Sequence, residues 1–184
     1  MDSLSVDLLV IGGGIAGTSV AANLVPDLKV CVIKAEEYAG FHSTGRSVAV
    51  YAEAYGSQVI RKLTKKSATL FLEAEAQSSC KILRPRGFLF IAREDQNESI
   101  NDLARELSEE ASLATLGTNE ALELVPALRK QYVSRALCDS RAKDIDVAAL
   151  HNFYIRTLRQ GGGQLLLTQR AKSIENKKII PRKL

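Results

Sequence analysis

The stretch that decides the fold is LLVIGGGIAGTSVAANLV, residues 8–25, which runs for eighteen residues without a charged side chain. Its length fits a membrane-spanning helix, but four glycines, together with Thr18, Ser19 and Asn23, make a poor apolar span. Residues 1–7 carry two acids and no base, which argues against a secretory signal peptide. A phosphate-binding turn is the interpretation that fits each position.

The residues around this stretch have the order of a βαβ unit. Residues 7–11 are an aliphatic run typical of a buried strand, GGGIAG at 12–17 matches G-x-G-x-x-G, a helix follows, and residues 29–33 form a second strand. In this motif Gly12 allows a tight turn, Gly14 lets a pyrophosphate approach the backbone, and Gly17 lets helix and strand pack closely. The phosphates would bind the free N–H groups of the helix N-terminus. The sequence therefore predicts a Rossmann-type dinucleotide-binding unit.

One position of the motif departs from expectation. The second strand should end in an acid that accepts hydrogen bonds from the adenosine ribose, but Lys34 stands there, and an ammonium group only donates. Three interpretations stay open at this point. Glu36 or Glu37 reaches back to the ribose, or Lys34 faces a 2′-phosphate and favours NADP, or the contact is lost and affinity falls.

A polar loop, GFHSTGRS at 40–47, follows the second strand and is rich in hydroxyl and amide donors suited to a pyrophosphate or a flavin edge. VIGGGIAG at 10–17, GFHSTGRSVAVYAEAYG at 40–56 and DIDVAALHNFYIRTLRQGGGQLL at 144–166 together resemble the FAD-dependent D-amino-acid oxidase superfamily. The branch they look most like is that of the D-amino-acid (D-arginine) dehydrogenases. The resemblance covers almost the whole chain.

The resemblance implies a flavoprotein that oxidises the C–N bond of an amine or a D-amino acid by hydride transfer to FAD. It also implies an α/β fold, a discontinuous Rossmann-type FAD-binding domain with part of an inserted α+β substrate domain. Tyr55 matches a substrate-facing tyrosine. The positions that match cofactor contacts are Gly12, Gly14, Ala16, Gly17, Lys34 at the ribose position, Ser43, Thr44, Gly45, Arg46, Ser47, Val48, Ala49 and Ala171.

The departures from the family pattern shape the functional prediction. Val50, Ala52 and Gly87 replace a histidine, a threonine and an acid of the D-arginine branch, which argues against D-arginine as the substrate. Family members continue well past Ala171, so we expect an incomplete FAD domain with little or no turnover alone, and a complementing C-terminal half as a candidate partner. The alternatives are a non-catalytic dinucleotide-binding fragment or pseudo-enzyme, and an NADP-binding Rossmann protein.

The amino-acid composition limits which other functions the chain can have. The net charge of +4 comes from the last fifteen residues, which sum to +5, so the basic charge does not predict a nucleic-acid groove. His42 and His151 have no partner at metal-ligand spacing, and we expect no metal site; for His151 a packing or surface role is expected. Cys31, Cys80 and Cys138 form no C-x-x-C pair and predict reduced thiols in a cytoplasmic protein, with Cys31 in the core.

Hydrophobic periodicity assigns the other elements. We predict helices at 57–77, from Ile100 to near Gly117, at 120–124 and at 147–160 with Asp146 as N-cap, and strands at 88–92, at 137–138 and at 164–168. The first of these helices has an apolar face of Ile60, Leu63, Ser67, Leu70, Phe71 and Ala74. The predicted domains are an FAD-binding domain at 1–78 and 141–184 and a partial substrate domain at 79–140.

Overall fold

The computed structural model describes residues 3–108 and 113–175. The helices are α1 (Ile15–Leu24), α2 (Gln58–Ser78), α3 (Asn97–Leu107), α4 (Thr118–Leu124) and α5 (Val147–Gln160). The strands are β1 (Leu8–Ile11), β2 (Val30–Ile33), β3 (Val50–Tyr51), β4 (Leu83–Pro85), β5 (Phe88–Ala92), β6 (Ala114–Gly117), β7 (Arg135–Asp139), β8 (Lys143–Ile145) and β9 (Gln164–Leu166).

The chain divides into two compact units, one of residues 1–47 with 151–184 and one of residues 48–150. The first unit contains a parallel sheet in the order β1-β2-β9. Leu8 pairs with Val30 and Ile11 with Ile33, while Cys31 pairs with Gln164. The strand–turn–helix–strand order of residues 8–33 is the βαβ unit that the sequence predicts, and the mixed α/β fold is confirmed.

One face of this sheet forms the core of the first unit. Val30 and Val32 of β2 pack with Ala21 of α1, with Val25, and with Leu158 of α5. Ala21, Val32 and Leu158 are fully buried. Cys31 is fully buried as well, which confirms its predicted place in the core. Helices α1 and α5 therefore cover the same face of β2.

The opposite face of the sheet carries apolar side chains that stay exposed. Leu9 and Ile11 of β1 are about half exposed, at 50% and 55%, and Leu166 of β9 is 38% exposed. Parallel sheets ordinarily have both faces covered. In the described ranges β1 pairs only with β2, so its outer edge has no neighbouring strand. The first unit thus presents one apolar face and one unpaired strand edge.

The second unit holds two antiparallel sheets, in the orders β3-β8-β4 and β5-β7-β6. In the larger sheet, Ala92 and Leu137 pack with Ile100 of α3, while Ala136 packs with Ala121 of α4. Because alternate residues of a strand point to opposite faces, both faces of this sheet are covered. This arrangement explains the continuous apolar sequence of β5, whose bounds match the predicted strand.

The predicted helix from Ile100 to near Gly117 is wrong in its second half. Helix α3 ends at Leu107, and β6 pairs antiparallel with β7, with Thr115 opposite Leu137. Ala111 lies outside the described residues. The apolar spacing at 114–116 suits a helix or a strand equally, and pairing with β7 decides for the strand because it packs the half-buried Leu116 beside Val133. The small sheet of β3, β8 and β4 was not predicted either.

Helix α2 has the predicted length, but only part of its predicted apolar face is turned inward, with Ala74 buried. Phe71 packs against Tyr51, yet Ile60, Leu63 and Leu70 of the predicted apolar face are about half exposed, at 48%, 55% and 50%. The buried residue of the first turn is Arg61, which donates to the Gly56 carbonyl and to Glu106. These bonds fix the rotation of the helix. We call the exposed set, Val59, Ile60, Leu63 and Leu70, the α2 stripe.

The chain leaves the parallel sheet earlier than predicted. Strand β9 ends at Leu166 rather than at residue 168, since Thr168 has a left-handed backbone with φ of 56° that a strand cannot continue.

The two compact units place residues 48–78 and 141–150 with residues 79–140; the predicted boundaries between an FAD-binding and a substrate domain stay a prediction. Across the part of the chain that the structure describes, the helices are too short or too polar to span a bilayer.

Candidate functional site

The glycine-rich turn between β1 and α1 has the backbone that its glycines predict. Gly12 has a φ of +120°, which side chains rarely allow, and its N–H donates to the Ile33 carbonyl at 2.9 Å. A methyl group added to Gly17 would lie 2.1 Å from the Gly12 carbonyl oxygen and 3.1 Å from Val10. Gly17 is therefore needed for α1 to begin directly against the end of β1.

The loop at 40–46 folds directly onto this turn. The Thr44 hydroxyl accepts a hydrogen bond from the Ile15 N–H at 2.9 Å, so it caps the first turn of α1 from a distant part of the sequence. The Gly40 N–H donates to the Gly13 carbonyl at 2.9 Å. Thr44 is nearly buried, with 9% exposure. The two motifs singled out in the sequence thus form one structure.

The first turn of α1 keeps two amides for a ligand. The N–H groups of Ala16 and Gly17 have no acceptor among the described residues, whereas that of Ile15 bonds to Thr44. Free amides and the helix dipole make a helix N-terminus attractive to an anion. Gly14 leaves room beside the turn, because a methyl group there would meet only the Thr44 hydroxyl within 4 Å, at 3.0 Å. The residues present fit a pyrophosphate.

Lys34 is buried beside this turn and its charge is paired. Its aliphatic carbons lie against Gly13, where a methyl group would meet them at 3.4–3.5 Å. Its ammonium forms an ion pair with Glu36, whose other oxygen lies 3.1 Å from His42 Nε2. Hydrogen bonds from Lys34 and then His42 lower the pKa of Glu36 from its usual 4.5 to about 2. Of the two acids proposed from the sequence, Glu36 is the one that contacts Lys34.

The unfolding free energy at acid pH should depend on the protonation of Glu36. Between pH 4.5 and about 2 the unfolded chain binds a proton at Glu36 that the folded chain does not. Its stabilising contribution is therefore complete above pH 4.5 and is lost as the pH falls toward 2. We expect Glu36→Gln to flatten this part of the dependence of unfolding free energy on pH, measured by urea unfolding. Glu37→Gln, which removes the same charge at an exposed neighbour, is the control; equal profiles for both variants would contradict the assignment.

The segment after β9 returns to the end of β2. The Thr168 N–H donates to the Glu36 carbonyl at 3.2 Å, and the Gln169 N–H donates to the Lys34 carbonyl at 2.8 Å. Ala171 follows two residues later, exposed and outside any strand, whereas the resemblance to the family places this position in a strand. Its predicted contact with a cofactor stays a prediction.

The other predicted site residues divide between the units. Gly45 and Arg46 lie in the loop that folds on the turn, with the Arg46 guanidinium 5.5 Å from the centre of the Phe41 ring. Ser43 and Ser47 flank the short 3-10 turn of that loop. Val48, Ala49 and Tyr55 belong to the second unit. Their predicted roles at the cofactor and the substrate stay predictions.

Two features of the second unit concern these residues. Ala49 has a left-handed φ of 54°, which is uncommon for a residue with a side chain, and its carbonyl accepts from the Ile145 N–H at 2.7 Å. The Tyr55 ring is 60% exposed and lies edge-on to Phe88, with ring centres 5.9 Å apart. Tyr55 is therefore accessible to a ligand.

Sequence reasoning missed one residue of the site, His151. It lies near the start of α5, is 7% exposed, and its Nε2 is 3.0 Å from the Gly13 carbonyl oxygen. Burial lowers its pKa, against the effect of the Gly13 hydrogen bond. No local sequence pattern predicts a contact between residues so far apart in sequence. Within the described ranges the structure groups no three side chains suited to hold a metal ion.

Comparisons with known proteins identify what this site belongs to. The family model of the FAD-dependent oxidoreductases called DAO matches residues 7–182. L-proline dehydrogenase from P. horikoshii is 21% identical, with a TM-score of 0.77 over 92% of this chain and 46% of that one. Glycine oxidase from Bacillus cereus is 18% identical, with a TM-score of 0.78 over 95% and 49%. FAD-bound L-alpha-glycerophosphate oxidase from Mycoplasma pneumoniae is 18% identical, with a TM-score of 0.75 over 90% and 45%.

These structural similarities show the fold. The family that the chain matches uses FAD as its cofactor. The chain spans about half the length of each of these three solved structures.

Proposed function

Because this chain belongs to the DAO family of FAD-dependent oxidoreductases, we propose that it is the FAD-binding part of an oxidoreductase acting on the C–N bond of an amine or a D-amino acid. When bound, FAD supplies the two-electron acceptor for that oxidation. The chain's own part is to hold the cofactor by its phosphates and ribose. The D-amino-acid dehydrogenase branch is the specific assignment that we propose, with a substrate other than D-arginine.

One observation carries this proposal: the glycine-rich turn and the loop at 40–46 form a single structure around the first turn of α1. Gly14, Ala16 and Gly17 would receive the pyrophosphate on their amides, and Ser43, Thr44 and Arg46 come from the loop that closes on it. A glycine-rich turn alone is common to many dinucleotide-binding proteins. The contacts between the glycine-rich turn and the loop at 40–46 are what favour a flavin nucleotide.

The Lys34–Glu36 pair favours FAD over NADP. An NADP site needs a cation for the 2′-phosphate, and Lys34 is buried with its ammonium already paired to Glu36. The same pair brings a carboxylate to the end of β2, where a ribose hydroxyl needs an acceptor. We propose that Glu36 takes the ribose role that Lys34 cannot perform. The proposed contacts of Val48, Ala49, Tyr55 and Ala171 rest on the resemblance of the sequence.

We further propose that a complementing C-terminal half is required for turnover. Three features support it: the chain spans about half the length of its structural relatives, the parallel sheet exposes Leu9 and Ile11, and the α2 stripe is exposed. An open cofactor site loses preorganisation of the substrate. The reduced cysteines that the sequence predicts lead us to propose a cytoplasmic location.

Cofactor binding is tested by the visible absorption spectrum of the purified chain after incubation with FAD and size exclusion. We expect flavin bands that co-elute with the protein. In a parallel run NADPH, detected by its near-ultraviolet absorption, should be removed. A colourless protein would overturn the proposed function and leave the non-catalytic fragment as the better interpretation. Retention of NADPH but not of FAD would favour the nicotinamide alternative.

Turnover is tested separately, with D-amino acids and amines as substrates and a dye as electron acceptor. We expect the chain alone to show no dye reduction above the rate with free FAD. Turnover by the purified chain would contradict the need for a complementing half, without contradicting FAD binding.

A further inference from the structure

His151 joins three separate parts of the first unit at one carbonyl group. The Gly13 carbonyl oxygen lies 3.0 Å from His151 Nε2 and also accepts the Gly40 N–H at 2.9 Å. It therefore connects the glycine-rich turn, the loop at 40–46 and helix α5. Since a carbonyl oxygen only accepts, the imidazole carries its proton on Nε2.

The imidazole also sets the position of Gly40. Gly40 has a left-handed φ of +76°, and a methyl group there would lie 3.1 Å from Cε1 and 3.2 Å from Nδ1 of His151. The ring thus occupies the space that any side chain at residue 40 would need. The Gly40 carbonyl in turn accepts the Gly45 N–H at 2.8 Å. His151 lies against the loop as well as the turn.

Anchoring the Gly13 carbonyl determines where the next amide points. In a planar trans peptide the C=O of one residue and the N–H of the next point in opposite directions. The peptide between Gly13 and Gly14 has glycine on both sides, so little in its own backbone prevents it from rotating. Two hydrogen bonds to the Gly13 oxygen hold that peptide, and the Gly14 N–H then faces away from His151.

We propose that His151 is a positioning residue for the cofactor, which fixes the peptide between Gly13 and Gly14 so that the Gly14 amide is directed at the pyrophosphate. This proposal rests on the proposed FAD function and adds a residue from outside both motifs. This role requires no contact between His151 and the cofactor. It acts through the turn, and its effect appears as affinity for FAD.

The test compares His151→Leu, which removes the donor, with His151→Gln, whose side-chain amide nitrogen lies as many bonds from the backbone as Nε2. Asn152→Leu, at the exposed next position of α5, is the control. We expect His151→Leu to weaken FAD binding about tenfold, the factor that corresponds to about 1.4 kcal/mol. His151→Gln and Asn152→Leu should stay within about threefold of the unmodified chain, measured by quenching of flavin fluorescence.

A second readout separates positioning from general packing and needs no cofactor. The amide NMR signal of Gly14 in the FAD-free chain should move in His151→Leu and return toward its original place in His151→Gln. Unchanged FAD affinity in His151→Leu, or equal losses in the Leu and Gln variants, would overturn the positioning role while the proposed function stands. Absence of FAD binding by the unmodified chain would overturn the proposed function, and this role with it.

Discussion

Replacing Gly17 by alanine should strongly weaken FAD binding. The added methyl group would lie 2.1 Å from the Gly12 carbonyl oxygen, a backbone atom that cannot move aside as a flexible side chain can. Helix α1 must then shift away from the turn, which displaces the amides of Ala16 and Gly17. We expect a loss of about 3 kcal/mol in stability, at the upper end of the cost of overpacking, and FAD affinity reduced more than about hundredfold.

Gly87→Ala is the matched control for this change. A methyl group there meets no atom within 4 Å, and its backbone does not require glycine. It should leave stability within about 0.5 kcal/mol and FAD binding unchanged. Thermal unfolding and flavin absorption after size exclusion measure both quantities. If Gly17→Ala bound FAD as the unmodified chain does, the turn would not be the phosphate site.

The second large effect is expected from Leu158→Ala in the core of the first unit. Leu158 is fully buried among Ala21, Val25 and Val32. Removing a buried leucine side chain costs about 2–5 kcal/mol, because the cavity closes only in part. We therefore expect a large fall in the urea concentration at the midpoint of unfolding. Circular dichroism monitors this transition. FAD at about a hundred times its Kd should restore about 2.7 kcal/mol.

Leu166→Ala is the control, since Leu166 lies on the opposite face of the same sheet with 38% of its surface exposed. It should cost less than about 1 kcal/mol, because an exposed side chain gives up little buried apolar surface. Equal losses in the two variants would mean that the two faces of the sheet are covered alike, contrary to the structure.

Elements set by local sequence were predictable. The glycine spacing at 12–17 predicts the βαβ unit because the turn, the helix start and the strand all lie within about 25 residues. Helix α5 has the predicted bounds. Its cap is also local: Asp146 Oδ1 accepts the Ala149 N–H at 2.9 Å, as an N-cap should.

Elements decided by distant partners were not predictable. The strand at 114–117 exists because β7 lies beside it, and the buried face of α2 depends on the bonds of Arg61 to Gly56 and Glu106. The amphipathic pattern of α2 marks an apolar stripe without saying what covers it.

In the candidate site, the turn, the loop and the two acids near Lys34 were predicted from the sequence. The sequence did not choose between those acids, nor did it find His151. The His151 contact joins residues 138 positions apart, so no short-range pattern contains it. What was missed is therefore the tertiary support of the motifs, while the motifs themselves were found.

The discontinuity of the first unit has a consequence for synthesis on the ribosome. Strand β2 pairs with β9, and the Gly13 carbonyl bonds to His151, so this unit is incomplete until residue 166 has been made. At about 5–20 residues per second, the 119 residues from 48 to 166 take roughly 6–24 s. The second unit, which is continuous in sequence, emerges in that interval. The nascent chain therefore completes its phosphate-binding turn after the second unit has emerged, although that turn is encoded before the second unit.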